Sequence, residues 1–318
     1  MREFLKSQIV QFVLAAIVLL LLLFTLFRKA TWEQIVEALV VTPLWVLLAL
    51  CLAQLGGLFI NGLRWWLLLP KKGFPLKRAL SIHFKSSFLG AVLPSSSGQD
   101  IIKALYMGSE VGVSQSWAIT WVFKLTGFVA SFFLSFLSLI LLGKNIFNLQ
   151  GLLYFVVGAF FLLLVLIWVS FNKMLSKQVR SIVQKFLPPK SLQKIMNLRE
   201  AVFVFRNRRF DLIVTLLVAI FQQVFLLICS TLVIYGVSGK WLPIQVFAFY
   251  PLVEILVSLA PLTPGGIGLR ESMHAVAYQS MGLSLSQIQV MTILSLVFSL
   301  TKLVGILSLF DRVKKSNT

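Results

Sequence analysis

Charge is what this sequence has least of. Only 12% of its residues are Asp, Glu, Lys or Arg, against about a quarter in a soluble globular chain. Of 318 residues just 10 are acidic. A soluble domain of this length needs a polar face on most of its helices, and this shortage excludes one. Cysteine and histidine are scarce too, with two of each. Cys51 and Cys229 sit singly in apolar runs without a CxxC spacing, which argues for small buried hydrophobes and against a disulfide or a structural metal. His83 and His274 have no HxxxH, HExxH or carboxylate cluster around them and read as interfacial or hydrogen-bonded residues before metal ligands. Walker A, GxSxG and dinucleotide fingerprints are absent from the sequence. Gly265-Gly266-Ile267-Gly268 is glycine-rich, but it follows an apolar helix and not a strand. No cofactor is expected.

Long apolar runs are what the sequence has in place of charge. Hydrophobic residues make up 58% of it. Ile9–Phe27, Phe155–Val169 and Leu212–Ile234 are nearly unbroken, close to the ~20 residues a helix needs to cross ~30 Å of hydrocarbon. The expected fold is an all-α polytopic integral membrane protein. Ile9–Phe27 is too long, and lacks the small-residue cleavage site, for a signal peptide. It is read as a retained helix. Six full crossings are expected at 9–27, 43–69, 117–142, 150–171, 211–236 and 288–310. Two apolar but interrupted stretches, 79–107 and 244–283, lie between them.

The net charge of +19 is distributed by loop. Arg2 and Lys6 precede the first crossing, Lys71, Lys72, Lys77 and Arg78 follow the second, and Arg312, Lys314 and Lys315 close the chain. Residues 172–210 carry ten Lys/Arg and one Glu. The loops 28–42, 143–149 and 237–243 are short and nearly neutral. By the positive-inside rule both termini and the central loop are cytoplasmic, in the plasma membrane. The positive charge then points to anionic lipid head groups and not to nucleic acid. Within 172–210, Leu175, Val179, Ile182, Val183 and Phe186 share one helical face and Lys177, Arg180, Ser181 and Lys185 the other. After Pro188-Pro189 the pattern repeats with Leu192, Ile195, Met196, Val202 and Phe203. Two amphipathic helices in the head-group layer are expected; a solvated linker charged for topology alone is the alternative.

The order of crossings repeats with opposite orientation. Residues 1–143, with hairpin 79–107, form one expected inverted-topology repeat, and residues 150–312, with hairpin 244–283, the other, as in many secondary transporters. Each repeat has three transmembrane helices and one re-entrant helical hairpin. Pro94-Ser-Ser-Ser-Gly98-Gln-Asp100 faces Pro264-Gly-Gly-Ile-Gly268-Leu-Arg270-Glu271 in this alignment, and Val122-Phe-Lys124-Leu-Thr126 resembles Val297-Phe-Ser-Leu-Thr-Lys302. Re-entrant hairpins would hide non-helical backbone inside protein and present helix N-termini to an anion. Four short ordinary crossings joined by turns outside the membrane are the alternative.

Charges inside crossings are costly and mark function. The candidates for binding or coupling are Arg64, Asp100, Lys103, Lys124, Glu254, Arg270, Glu271 and Lys302, with Pro94, Gly98, Pro264, Gly265, Gly266 and Gly268 shaping the turns. Arg64 is close enough to Lys71 to snorkel to the cytoplasmic interface beside Trp65 and Trp66. Asp100 and Glu271 are placed both to favour the positive ends of their half-helices and to meet a ligand. Lys124, Lys302, Asp100, Glu254 and Glu271 are expected to form one central polar network.

Leu262-Thr-Pro-Gly-Gly-Ile-Gly-Leu-Arg-Glu271 resembles the signature of the lysylphosphatidylglycerol synthase transmembrane-region family. That family includes the flippase domain of the multiple peptide resistance factor. Leu63-Arg-Trp-Trp66 and Pro94…Gly98-Gln-Asp100-Ile-Ile-Lys103 resemble its other two motifs. The first hairpin departs from the pattern, since members often carry Gly-Glu/Asp followed by Arg. The resemblance implies a lipid flippase that handles an anionic or phosphate-bearing head group between the hairpins. The multifunctional relatives carry a soluble aminoacyltransferase domain after the membrane part. This chain ends at Thr318, so aminoacylation by that route is not expected. Two rivals stay open: a membrane-embedded transferase acting on a lipid-linked substrate, and a non-catalytic partner of a membrane enzyme. A homo-oligomer also stays open.

Overall fold

The computed structural model describes residues 31–70, 74–93, 97–142, 150–171, 189–259, 263 and 266–309, with Ile17, Leu20 and Phe24. The first expected crossing otherwise lies outside the described residues, as do the amphipathic stretch 175–186 and the turn residues Pro94, Pro264 and Gly265. Among the described residues the chain is helical, without strands. In chain order the helices are α1 (Trp32–Val41), α2 (Leu44–Leu68), α3 (Leu76–Leu89), α4 (Gly98–Met107), α5 (Val113–Leu142) and α6 (Gln150–Phe171). They are followed by α7 (Pro189–Phe203), α8 (Arg209–Ser238), α9 (Pro243–Leu259), α10 (Leu269–Ser280) and α11 (Leu285–Ser299), which tightens into a 3₁₀ helix over Leu300–Leu309.

Among the described residues four helices are long and apolar enough to cross a membrane: α2, α5, α8 and the run Leu285–Leu307 of α11. They match four of the six expected crossings. Helix α6 occupies the position of the fourth expected crossing, 150–171, with a shorter apolar stretch at Val156–Trp168 among its described residues. Large apolar side chains such as Phe161, Leu162, Leu217 and Phe221 are exposed on the outer faces of α6 and α8. Water would not tolerate so extended an apolar surface; lipid does.

Local sequence sets the helix ends. Thr31 caps α1 and Ser284 caps α11, each accepting from the backbone N–H three residues on, Gln34 and Gln287, whose side chains bond back. Helix α8 stops where Gly239 turns left-handed at φ 71° and its N–H reaches Tyr235 O at 2.7 Å. Arg208, just before α8, donates to the carbonyls of Leu67, Leu68 and Leu69 at the end of α2. The cation thereby satisfies orphan carbonyls and complements the negative end of that helix.

Both interrupted stretches are helix–break–helix. Helix α3 packs on α4, and α9 packs on α10. The packing between elements is reciprocal: α3 lies against the 3₁₀ end of α11, and α9 lies against α5. Likewise α4 touches α5 while α10 touches α11, α2 touches α3 while α8 touches α9, and α2 packs on α8. Close approach at the first break depends on Gly90 and Gly98. A Cβ on Gly98 would collide with Gly90 O, and one on Gly90 with the Gln99 backbone. Helix α7 docks on α5, burying Val202 near its end in a cluster with Trp65, Leu68, Ile119 and Phe205.

Candidate functional site

The helices converge on a cavity of about 370 Å³, lined from α2, α3, α4, α5, α8, α9, α10 and α11. Its wall carries Arg64, Asp100, Lys124, Glu254, Arg270, Glu271 and Lys302. Seven residues chosen from the sequence thus meet in one space. Two of its supporting helices are irregular. A π-helical turn at Leu52–Gly56 interrupts α2, beside the lining residues Ala53 and Gln54. Pro251 stands inside α9, where it withholds one backbone donor. Such interruptions recur at functional sites because they re-aim side chains and expose backbone polar groups.

The first-half acid is closed in. Asp100, in the first turn of α4, has Lys103 Nζ at 2.8 Å from one oxygen and Lys124 Nζ at 3.0 Å from the other. Asp100 is buried, and the Lys103 side chain is wholly so, its Nζ 4.3 Å from the centre of the Phe123 ring. Lys103 stands behind the wall and is not a lining residue. Its part is to hold Asp100. Lys124 is a quarter exposed toward the cavity and also donates to Ser97 Oγ at 2.8 Å. Ser97 in turn donates to Ser258 O at 2.8 Å, so the break after α3 and the end of α9 touch.

The second-half acids divide their work. Glu254 accepts from Arg270 through both oxygens, at 2.7 and 3.2 Å, the forked geometry that guanidinium and carboxylate favour. His274 Nε2 stands 3.5 Å from the same carboxylate, and its ring lies against Tyr250 with centroids 3.9 Å apart. Glu271 has no cation within 4.0 Å among the described residues. One oxygen accepts the Gly268 N–H at 2.6 Å and the other is 3.5 Å from Ser295 Oγ. It caps α10, as the helix dipole favours. Gly266 and Gly268 have φ of 74° and 85°, a region that non-glycine residues seldom enter; they and Gly98 shape the turns and are not lining residues.

Arg64 does not snorkel. It is 5% exposed, donates to Gln222 Oε1 at 3.0 Å and to Phe123 O at 3.4 Å, and lies 4.0 Å over the Phe123 ring. Gly127 faces its guanidinium, where a Cβ would sit 3.2 Å from Nη2. A nearby glycine and amide offered more than the interface several residues away. Among the described residues neither Arg64 nor Lys302 has a carboxylate within 4.0 Å. The single expected network is therefore two ion-pair clusters, Asp100–Lys103–Lys124 and Glu254–Arg270–His274, with Glu271 and Lys302 standing beside them.

Gln99, Gln222, Gln223, Tyr250, His274 and Tyr278 also line the cavity without having been singled out as site residues. Gln222-Gln223 carried a legible signal: two amides in mid-run of an otherwise apolar segment. The tyrosines, whose hydroxyls are 3.1 Å apart, carried none, because aromatic residues are as common in membrane cores as at sites.

The lysylphosphatidylglycerol synthase TM region pattern matches residues 8–307. The chain belongs to that family. Curated proteins offer no match to it. Family membership and the apolar helices together make the chain an integral membrane protein with a lipid-related role.

Proposed function

We propose that this member of the family is a lipid flippase. It takes an anionic or phosphate-bearing head group into the central cavity and passes it between leaflets while the acyl chains stay in lipid. The observation that carries the reading is the pair Arg64 and Lys302: two cations on one cavity wall, in helices long enough to span a membrane, with no carboxylate within 4.0 Å of either among the described residues. A cation at membrane depth costs about 2.5–3.5 kcal/mol even by the mildest scale, and an anionic ligand offsets that cost.

The reciprocal packing supports a finer architecture. If residues 1–143 and 150–312 are inverted repeats, α3–α4 and α9–α10 are the two hairpins. Each then rests on the last crossing of the other repeat, α3 on α11 and α9 on α5. Such an exchange places the breaks beside the cavity, where irregular backbone is shielded from lipid. In this arrangement both termini are cytoplasmic and the membrane is the plasma membrane. The chain acts on its own as a transporter and not as a transferase.

The test is reconstitution. Vesicles holding the purified chain and fluorescent phosphatidylglycerol in both leaflets are treated with an impermeant quencher. Lipid moving between leaflets makes the quenchable fraction exceed the outer half within minutes, and Lys302→Gln slows that exchange at least tenfold. Exchange no faster than in protein-free vesicles, across anionic lipids, sinks the reading.

A further inference from the structure

We infer that the head group this cavity takes is dianionic: a phosphomonoester or diphosphate on a lipid, in preference to a phosphodiester. The inference rests on the flippase reading and names its substrate class. Five cations belong to the site, Arg64, Lys124, Arg270 and Lys302 on the wall and Lys103 behind Asp100. Three carboxylates face them, Asp100, Glu254 and Glu271. Five lysine and arginine charges against three carboxylates leave two positive charges over.

The pairing identifies which two. Asp100 is shared by Lys103 and Lys124, a trio of net charge +1 that the charge of Glu271 offsets, and Glu254 is held by Arg270. Glu271 is committed to the Gly268 N–H. Arg64 rests on an amide, a carbonyl and a ring, all neutral, and Lys302 has no acid within 4.0 Å among the described residues. By sequence, Pro94-Ser-Ser, Ala260-Pro-Leu and Pro264-Gly in the two breaks carry no charged side chain.

The ligand classes separate on this count. A phosphomonoester carries about −1.5 to −2 at neutral pH and neutralises both free cations. A phosphodiester carries one charge and leaves a cation in a low-dielectric cavity. A zwitterionic head group adds no net charge, and its ammonium would compete with Arg270 for Glu254. Neutral amide donors suit phosphate oxygens as well, since Gln99 and Gln223 line the same wall.

Binding and exchange decide together. The purified chain in nanodiscs is titrated with short-chain phosphatidate, farnesyl diphosphate, short-chain phosphatidylglycerol and short-chain phosphatidylcholine. Phosphatidate and farnesyl diphosphate are expected to bind at least tenfold tighter than phosphatidylglycerol, and comparison of the two tells a monoester site from a diphosphate site. Lys302→Gln is expected to bring that ratio near one, and Lys302→Arg to restore most of it. Equal or tighter binding of phosphatidylglycerol overturns the inference, as does a preference that survives Lys302→Gln. The wild-type ratio alone suffices should the variant fold poorly. Exchange of phosphatidylglycerol without a dianion preference removes this inference and leaves the flippase reading; exchange of no lipid removes the reading as well.

Discussion

The two broken helical stretches present the same ingredients and use them differently. In the first, Asp100 is buried and serves as a counterion, pinned between Lys103 and Lys124. In the second, the acid in the first turn of α10, Glu271, caps its own helix through Gly268, and Lys302, on the 3₁₀ end of α11, has no acid within 4.0 Å among the described residues. The second stretch makes its ion pair within itself: Glu254 on α9, 39% exposed, holds Arg270 on α10. The turns differ in kind as well. Gly98 is needed because another backbone comes too close, whereas Gly268 is needed for its left-handed φ, with open space where a Cβ would go. The lesson is that similar ingredients do not fix the pairing: side-chain direction decides which charges are neutralised and which stay available to a ligand.

The comparison can be broken most severely at Asp100. Asp100→Asn leaves Lys103 as a fully buried cation with a neutral neighbour, a loss of about 3–5 kcal/mol, read as a fall in the unfolding midpoint of the detergent-solubilised protein. Adding Lys103→Met should recover most of it. A small effect of Asp100→Asn would mean the acid is not the first half's counterion. Next comes the crowded turn. Gly98→Ala drives a methyl into Gly90 O and should cost about 1–3 kcal/mol, measured in the same melt; an unchanged melt would show that the first break can spread.

Glu254→Gln should be milder, within about 1 kcal/mol, because a part-exposed ion pair is screened. If it destabilises as much as Asp100→Asn, the two halves are not distinct in the way their burial implies. The smallest stability effect is expected at Lys302. Lys302→Met removes an uncompensated cation and should leave the midpoint within about 1–2 °C or raise it, a change of under ~0.5 kcal/mol, while lipid exchange falls. A marked drop in the midpoint would reveal a partner for Lys302 and remove it as a free cation.

Much of this was legible beforehand. Periodicity and length are local properties, so α2, α5, α8 and α11 followed from unbroken apolar runs. Both interrupted stretches followed from Pro, Gly and Ser at the ends of apolar helices. The cost of charge in lipid singled out Arg64, Asp100, Lys103, Lys124, Glu254, Arg270, Glu271 and Lys302, and all of them but Lys103 line one cavity. Arg64 was read toward the interface because its nearest neighbours in sequence are Trp65, Trp66 and Lys71. Its actual partners, Gln222 and Phe123, are 158 and 59 residues away, beyond any local signal. Glu271 could cap or bind on sequence grounds, and only the placement of Gly268 and Ser295 resolved it.

By itself, then, the sequence determined that this is a helical membrane protein of the lysylphosphatidylglycerol synthase TM region family, where its helices break, and which charges are too expensive to be idle. Those outcomes depend on hydropathy, backbone chemistry and charge, all carried residue by residue. The tertiary structure alone decided the pairing: that Lys103 closes Asp100 from behind, that Arg270 takes Glu254, and that Arg64 and Lys302 face the cavity without an acid. Pairing depends on distances of a few ångströms between segments far apart in the chain, and no local rule specifies those.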